Sequence, residues 1–238
     1  MSMYVMNAMQ CHISQNKQLL NAFSRQWRVW LRLSGACLFI AIALIASNAH
    51  AAPKNYVLHI ELSPAVCKID PLQKRTRQCL EGYALTVLGL FPEGVDVSRC
   101  RTSSAVNLSP IQKRVLMRLI PDEASQARLW RSVGGCVSMN SSQYFRKVVA
   151  FAEQLKIPSE VTSPTTIRIS RSKVENQFYQ LNSGLNASSL KLDCRGDASQ
   201  ATLLTDVKVC YRSNGQYQAC HIQQSSTCPS QVLIKGSY

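Results

Sequence analysis

Hydrophobic and polar residues alternate near both ends of the chain beyond residue 51, and this alternation predicts strands. Residues 56–62 mix β-branched, aromatic and polar side chains, as a half-buried strand does. Residues 83–90 are largely apolar on both faces, which predicts a second strand in the centre of a sheet. Residues 203–211 alternate in their middle, and the turn at 213–215 predicts a hairpin with 216–223.

Helical spacing of apolar residues fills the middle of the chain. A capping box formed by Asn140 and Gln143 begins the clearest helix, which reaches about Leu155. The polar, proline-containing stretch 68–78 reads as a loop. Strands at both ends with helices between them predict an α+β domain. The other predicted helices are 110–120, 122–132 and 174–181.

The first 51 residues resemble a leader and are excluded from the fold. Three arginines precede an uncharged run, 33–47, and the small residues Ala49 and Ala51 fit a cleavage site. We therefore expect a signal peptide at 1–51, a single domain at 52–238 and a secreted or periplasmic product without membrane association. An uncleaved signal anchor and a start codon assigned too far upstream are the alternatives.

The net charge favours a polyanionic partner. The sequence has 27 Lys and Arg and 13 Asp and Glu. Four of the basic residues and none of the acidic ones lie in the leader, which leaves a formal net charge of +10 on the domain. Such a charge favours RNA or a membrane surface, although secreted proteins without a nucleic-acid role also carry it.

Cysteine usage predicts disulfide bonds and argues against a metal. Eight of the ten cysteines remain after residue 51, and an even number in an exported chain indicates a disulfide framework. No Cys-x-x-Cys pair occurs, and only His59 and His221 remain as imidazole ligands. We expect no metal and no cofactor.

Two segments resemble the active-site signatures of a known family. Residues 85–92, Leu-Thr-Val-Leu-Gly-Leu-Phe-Pro, are similar to Phe-Thr-Ile-His-Gly-Leu-Trp-Pro, the first signature of the ribonuclease T2 family. Residues 128–136, Arg-Leu-Trp-Arg-Ser-Val-Gly-Gly-Cys, are similar to its second, His-Glu-Trp-x-Lys-His-Gly-Thr-Cys. The resemblance extends in order from Tyr56 to about Cys228.

The resemblance implies a fold and a disulfide pairing that cysteine counting leaves open. It implies a ribonuclease T2-like fold, with a central antiparallel sheet, packed helices and disulfide bonds. The implied bonds are Cys67–Cys79, Cys100–Cys136, Cys194–Cys228 and Cys210–Cys220.

The resemblance also implies a chemistry whose essential residues are missing. Family members cleave RNA to 2′,3′-cyclic phosphates, using the signature histidines as general base and acid with a glutamate and a lysine beside them. The corresponding positions hold Leu88, Arg128, Leu129, Ser132 and Val133. No catalytic set is intact, so we expect an impaired or inactive homologue. An active endoribonuclease with relocated acid–base residues and an exported protein-interaction module are the alternatives.

Several residues are candidates for holding RNA. Arg128 and Arg131 suit phosphate, and Phe91, Trp130 or Tyr83 suit base stacking. Phe91 and Trp130 are equally plausible as core residues.

The remaining ionisable candidates are less favoured. We expect His59 to be packed within its strand rather than catalytic, and His221 to lie away from both signatures. Glu61 and Glu93 are expected to be solvated. The expected partner is RNA, with a protein partner as the alternative, and the protein is expected to be a monomer.

Overall fold

The computed structural model describes residues 53–197, 201–221 and 226–237. The leader predicted at 1–51 lies outside these residues. The strands are β1 Asn55–Leu62, β2 Leu85–Pro92, β3 Ile167–Ser170, β4 Leu190–Gly196, β5 Thr202–Arg212 and β6 Gln231–Ile234. The helices are α1 Ser63–Ile69, α2 Arg77–Leu80, α3 Pro110–Leu116, α4 Glu123–Val133, α5 Ser141–Gln154 and α6 Arg171–Leu181. No described helix has the length and apolarity needed to cross a membrane.

The strands form one sheet in the order β2-β1-β5-β6-β3, with β4 also paired to β5. Neighbouring strands are antiparallel except β5 and β6, which meet in parallel at Leu203 and Leu233. The α+β class and the antiparallel sheet are therefore confirmed. Strands β3, β4 and β6 were not predicted.

Alternation along β1 decides which sheet face carries the core. Tyr56, Leu58 and Ile60 are buried in the main hydrophobic cluster together with side chains of α4 and α5. His59 and Glu61 alternate with them and therefore point to the opposite face. The helices thus cover one face of the sheet, and the other face carries charged residues.

Strand β2 is an edge strand, so its predicted central position is wrong. Its apolar composition has a different cause, since α4 and α5 pack on it and the chain after α3 covers its edge. The backbone N–H of Val87 donates to the carbonyl of Leu119 at 2.8 Å. Helix α3 ends at Leu116 instead of near residue 120, and the chain continues as a hydrogen-bonded turn in which the N–H of Ile120 donates to the Leu116 carbonyl at 2.8 Å.

Two other expectations need correction. The predicted loop 68–78 contains the end of α1, the 3-10 turn Gln73–Arg75 and the start of α2, because a chain closed by a short disulfide satisfies its backbone groups locally. Of the predicted hairpin partner 216–223, residues 222 and 223 lie outside the described residues, and the described part pairs with β5 in one isolated bridge, between Tyr211 and Tyr217.

The start of α5 and the disulfide pairing follow the predictions. The side chain of Asn140 accepts from the backbone of Gln143, and the Gln143 side chain accepts from the backbone of Asn140, as a capping box requires. The four implied disulfides are confirmed: Cys67–Cys79, Cys100–Cys136, Cys194–Cys228 and Cys210–Cys220.

Candidate functional site

The two signature-like segments meet where α4 crosses β2. The closest approach is at Gly89, whose φ of 155° is unfavourable for side chains. A Cβ atom at this position would clash with Cδ1 of Leu129 and lie 3.2 Å from Cε2 of Phe91. Glycine is therefore required for α4 to pack on β2.

Two of the positions that carry family chemistry belong to the hydrophobic core. Leu129 is 6% exposed and Val133 is 1% exposed, and both lie in the main cluster. Leu88 is half-buried on β2. The hydroxyl of Ser132 donates to the Leu129 carbonyl of its own helix at 2.7 Å. None of these four side chains is an effective proton-transfer group at neutral pH.

Arginine side chains line the cavity on the outer side of α4. We call this cavity, of about 480 Å³, the basic cleft. Arg128 reaches it while bonded to Asp122 at 3.3 Å and to Ser125 at 2.6 Å. The lining residues are Arg101, Thr102, Arg128, Arg131 and Ser132.

The wall of the basic cleft opposite α4 is covalently anchored. Arg101 and Thr102 follow Cys100, whose disulfide partner Cys136 lies just beyond the end of α4. The backbone N–H of Thr102 donates to the carbonyl of Arg131 at 3.0 Å. Arg101 is exposed and has no ion pair within the described part of the chain. Three arginines thus line one cavity, and a disulfide bond and a backbone hydrogen bond join its two walls.

A second cavity adjoins the basic cleft. We call this cavity, of about 420 Å³, the aromatic compartment, because the half-buried ring of Phe91 lines it. Arg101 and Ser132 line both cavities, so the two are adjacent. The other lining residues are Ser98 and Val133.

The other stacking candidates do not line these cavities. Trp130 is 3% exposed, its indole N–H donates to the Ser104 hydroxyl at 3.0 Å, and its ring lies 5.7 Å from that of Tyr144. Burial therefore favours the core interpretation for Trp130. The Tyr83 hydroxyl donates to the Met117 carbonyl at 3.5 Å, beside the chain that follows α3.

His59 takes part in a buried polar cluster on the other sheet face. Its Nε2 lies 2.9 Å from Oδ1 of Asp206, and its ring lies 6.3 Å from that of Phe91. Burial acts to raise the pKa of Asp206, but hydrogen bonds from His59 and Thr205 bring that pKa below its ordinary value. His59 is thus packed, as expected, and it holds a carboxylate partner that the sequence did not reveal.

Glu61 belongs to the same cluster, and its expected solvation is wrong. It is 7% exposed because β2 and β5 flank it on both sides, with Thr86 and Asp206 as its cross-strand neighbours. Burial, followed by the charge of Asp206, raises the pKa of its carboxyl group. Its Oε1 atom is buried and has no hydrogen-bond partner among the residues that the structure describes.

Glu93 and His221 lie together, away from the basic cleft. Oε1 of Glu93 accepts the backbone N–H of His221 at 2.6 Å, so Glu93 contacts the C-terminal part of the chain while it stays half-exposed. The His221 side chain is exposed. In the described ranges, no group of three or more His, Cys, Asp and Glu side chains is arranged to hold a metal ion.

Solved ribonucleases share this architecture. Ribonuclease MC1 from bitter gourd seeds is 20% identical with a TM-score of 0.57, over 75% of this chain and 98% of its own. The self-incompatibility associated SF11-RNase of Nicotiana alata is 12% identical with a TM-score of 0.59, over 76% and 98% of the two chains. An RNase-related protein from Calystegia sepium is 18% identical with a TM-score of 0.55, over 77% and 97%.

The chain has the ribonuclease T2 fold. The sequence resemblance is thereby confirmed at the level of architecture. No protein-family model and no curated protein matches the sequence. At these identities the likeness establishes the fold, and function has to be argued from the site.

One residue of the basic cleft was not predicted from the sequence. Arg101 lies outside both signature-like segments, but the Cys100–Cys136 bond brings it to the end of α4. The implied disulfide was the available signal, because it predicts that residues next to Cys100 lie beside the second signature.

Proposed function

We propose that the mature chain is an exported monomer that binds single-stranded RNA through the basic cleft and the aromatic compartment without cleaving it. One observation carries the proposal. The positions that transfer protons in the family hold residues without a proton-transfer group, while three guanidinium groups line the cavity beside them.

The chemistry of the two cavities supports a nucleotide ligand. Guanidinium groups bind phosphate oxygens through paired hydrogen bonds and keep their charge at all physiological pH values. An aromatic ring next to them offers a stacking surface for a base. Variants of ribonuclease MC1, which has the same fold, have been solved in complex with 5′-UMP and 5′-GMP.

Salt titration of RNA affinity tests the proposal. For single strands, the logarithm of affinity should fall against the logarithm of salt concentration with a slope of about −0.7 per neutralised phosphate. Arg101→Gln, Arg128→Gln and Arg131→Gln should each weaken binding and flatten this slope. Arg168→Gln is the matched control, since it removes the same charge from an exposed position on β3.

Two results of the affinity measurements would contradict the proposal. Equal losses in the control and in the cleft variants would show that binding follows net charge alone. Absence of binding at low salt would refute an RNA-binding function.

Cleavage is tested separately, because an active nuclease with relocated residues is the alternative. The purified oxidised protein should release no 2′,3′-cyclic phosphate ends from RNA. The His59–Asp206 pair is the structural reason to test this. Release that Arg128→Ala leaves unchanged and His59→Ala abolishes would establish a relocated active site.

An apolar groove between α3 and α5 favours the protein-interaction alternative. Ile111 is 75% exposed at its edge, and Val115, Phe145 and Val149 line it beside Arg146. If this groove binds a protein, Ile111→Glu should abolish that complex while leaving RNA affinity unchanged. An RNA affinity that falls with Ile111→Glu would instead link the groove to RNA.

A further inference from the structure

We infer that the apolar groove between α3 and α5 binds an acidic amphipathic helix of a partner protein. This second binding surface goes beyond RNA binding and does not depend on it. The groove has a volume of about 180 Å³. An engineered apolar cavity of about 150 Å³ takes up benzene, so a groove of this size has room for about one large apolar side chain. It is therefore suited to one anchoring residue of a partner and the side chains next to it.

The groove has a buried floor and an exposed edge. Leu116 of α3 and Phe145 of α5 form the floor, since they line the groove and are only 1% and 2% exposed. Ile111, which is 75% exposed, and Val115 lie four positions apart on α3 and form one ridge. Val149 lies four positions after Phe145 and continues the facing ridge on α5. Ridges of this spacing on two neighbouring helices leave a groove into which a third helix can pack.

Hydrogen bonds join the two helices beside the groove. Nε2 of Gln112 donates to the Ser142 hydroxyl at 2.8 Å, and that hydroxyl donates to Oε1 of Gln112 at 3.2 Å. The amide of Gln112 is thus engaged within the protein, and the groove offers an occupant mainly apolar contact. A base is recognised through hydrogen bonds to its edges as well as by stacking. This lining therefore favours an aliphatic side chain over a nucleotide.

The charges around the groove favour an acidic partner. Arg146 lines it, Arg114 lies beside the α3 ridge, and Arg118 follows in the turn after α3. All three arginines are exposed and have no ion pair within the part of the chain that the structure describes. Glu153, near the end of α5, is the only carboxylate in the two helices. Carboxylates on a partner would meet unpaired guanidinium groups, whereas a basic partner would be repelled.

Three synthetic peptides of about 16 residues test the chemistry of the partner. The acidic peptide carries leucines at i, i+3, i+4 and i+7, the spacing of helix-in-groove recognition, with glutamate and alanine elsewhere. The basic peptide has lysine in place of each glutamate. The scattered peptide keeps the composition of the acidic one but breaks its apolar stripe. Titration calorimetry should show the acidic peptide binding about tenfold or more tighter than either control.

Variants of the protein test the location of the site. Ile111→Ser removes an apolar contact without changing the charge and should weaken binding of the acidic peptide about tenfold or more. Leu72→Ser is the matched control, because Leu72 is 86% exposed and does not line the groove, and it should leave the affinity unchanged. Thermal unfolding of both variants checks that the fold is retained.

A charge variant provides a second, independent test. Arg146→Gln should weaken binding of the acidic peptide about two- to fivefold and lower its salt dependence, as expected for a charge at the rim of an interface. Arg168→Gln removes the same charge from an exposed position on β3 and should change neither quantity.

The outcomes separate this inference from RNA binding. The inference is overturned if the acidic peptide does not bind, if either control peptide binds equally well, or if Ile111→Ser and Leu72→Ser behave alike. It is also overturned if RNA displaces the acidic peptide and Ile111→Ser weakens RNA binding, because the groove would then belong to RNA. If the acidic peptide binds as expected and RNA does not bind at all, only the proposed RNA-binding function is refuted.

Discussion

The buried carboxyl group of Glu61 should cost stability at neutral pH, and Glu61→Gln should recover it. Oε1 of Glu61 is buried without a hydrogen-bond partner, and the Asp206 carboxylate is its cross-strand neighbour. Burial and this neighbour raise the pKa of Glu61 above its ordinary value. Glutamine keeps the shape of the side chain and removes the charge.

The sign of the effect follows from proton linkage. Because the folded state holds the Glu61 proton more tightly than the unfolded state, the stabilising contribution is complete below the ordinary glutamate pKa. It is lost as the pH rises through the raised pKa of the folded state. The free energy of unfolding is therefore lower at neutral pH than it would be if the pKa of Glu61 were not raised.

The contacts of Glu61 limit the expected change in the free energy of unfolding. A buried polar atom left without a partner costs about 1–3 kcal/mol. The lower end applies here, because the charges of Arg195 and His59 and a hydrogen bond with Thr86 favour the ionised form. About 1 kcal/mol corresponds to a rise of roughly 2–4 °C in the melting temperature of a domain this long.

Thermal unfolding of wild type and Glu61→Gln at neutral and acidic pH measures this. The variant should melt higher at neutral pH, and the difference should shrink on acidification as wild-type Glu61 becomes protonated. Glu153→Gln, an exposed substitution on α5, should leave the melting temperature unchanged at both pH values. A variant that melts below wild type at neutral pH would show that ionised Glu61 stabilises the sheet.

Two further predictions concern how α4 is held in place. Gly89→Ala should lower the free energy of unfolding by about 2–4 kcal/mol in chemical denaturation, since the new Cβ clashes with Leu129 at an unfavourable φ. Gly196→Ala, with open space around it, is the control, and equal losses would refute this account. Trp130→Phe should cost about 1–3 kcal/mol and speed amide exchange in the loop at Ser104, because it removes the indole donor and leaves a cavity in the core. Unchanged exchange there would show that the bond does not hold the loop.

The sequence predicted where elements lie along the chain better than it predicted which elements pack against one another. Capping residues act within a few positions, so the start of α5 at Asn140 and Gln143 could be predicted from local spacing. The position of β2 in the sheet could not, because its apolar faces are buried by helices rather than by flanking strands. Short strands such as β3 and β6 owe their pairing to distant residues and carry little periodicity of their own.

The candidate site was predictable where it lies inside the signature-like segments. Arg128, Arg131 and Phe91 line the cavities, and their residue types suggested phosphate and base contacts. The burial of Glu61 depends on the strands on both sides of it and on its pairing with Asp206 across 145 positions of sequence. No local pattern shows such a pairing, so the polar cluster became visible only in the folded chain.

The residues at the positions that resemble the family's catalytic signatures lie on two opposite faces of α4. Leu129 and Val133 place apolar side chains where α4 meets β2, and those side chains add to the core. Burying such side chains is stabilising by about 1.5–3 kcal/mol each relative to leaving them exposed.

The outer face of α4 is charged, because Arg128 and Arg131 lie away from that packing and line the basic cleft. A helix that stabilises the domain through one face and presents guanidinium groups on the other can hold a phosphate backbone firmly. If this face binds RNA as proposed, binding without cleavage follows from the same arrangement, because neither guanidinium groups nor buried apolar side chains transfer protons at neutral pH.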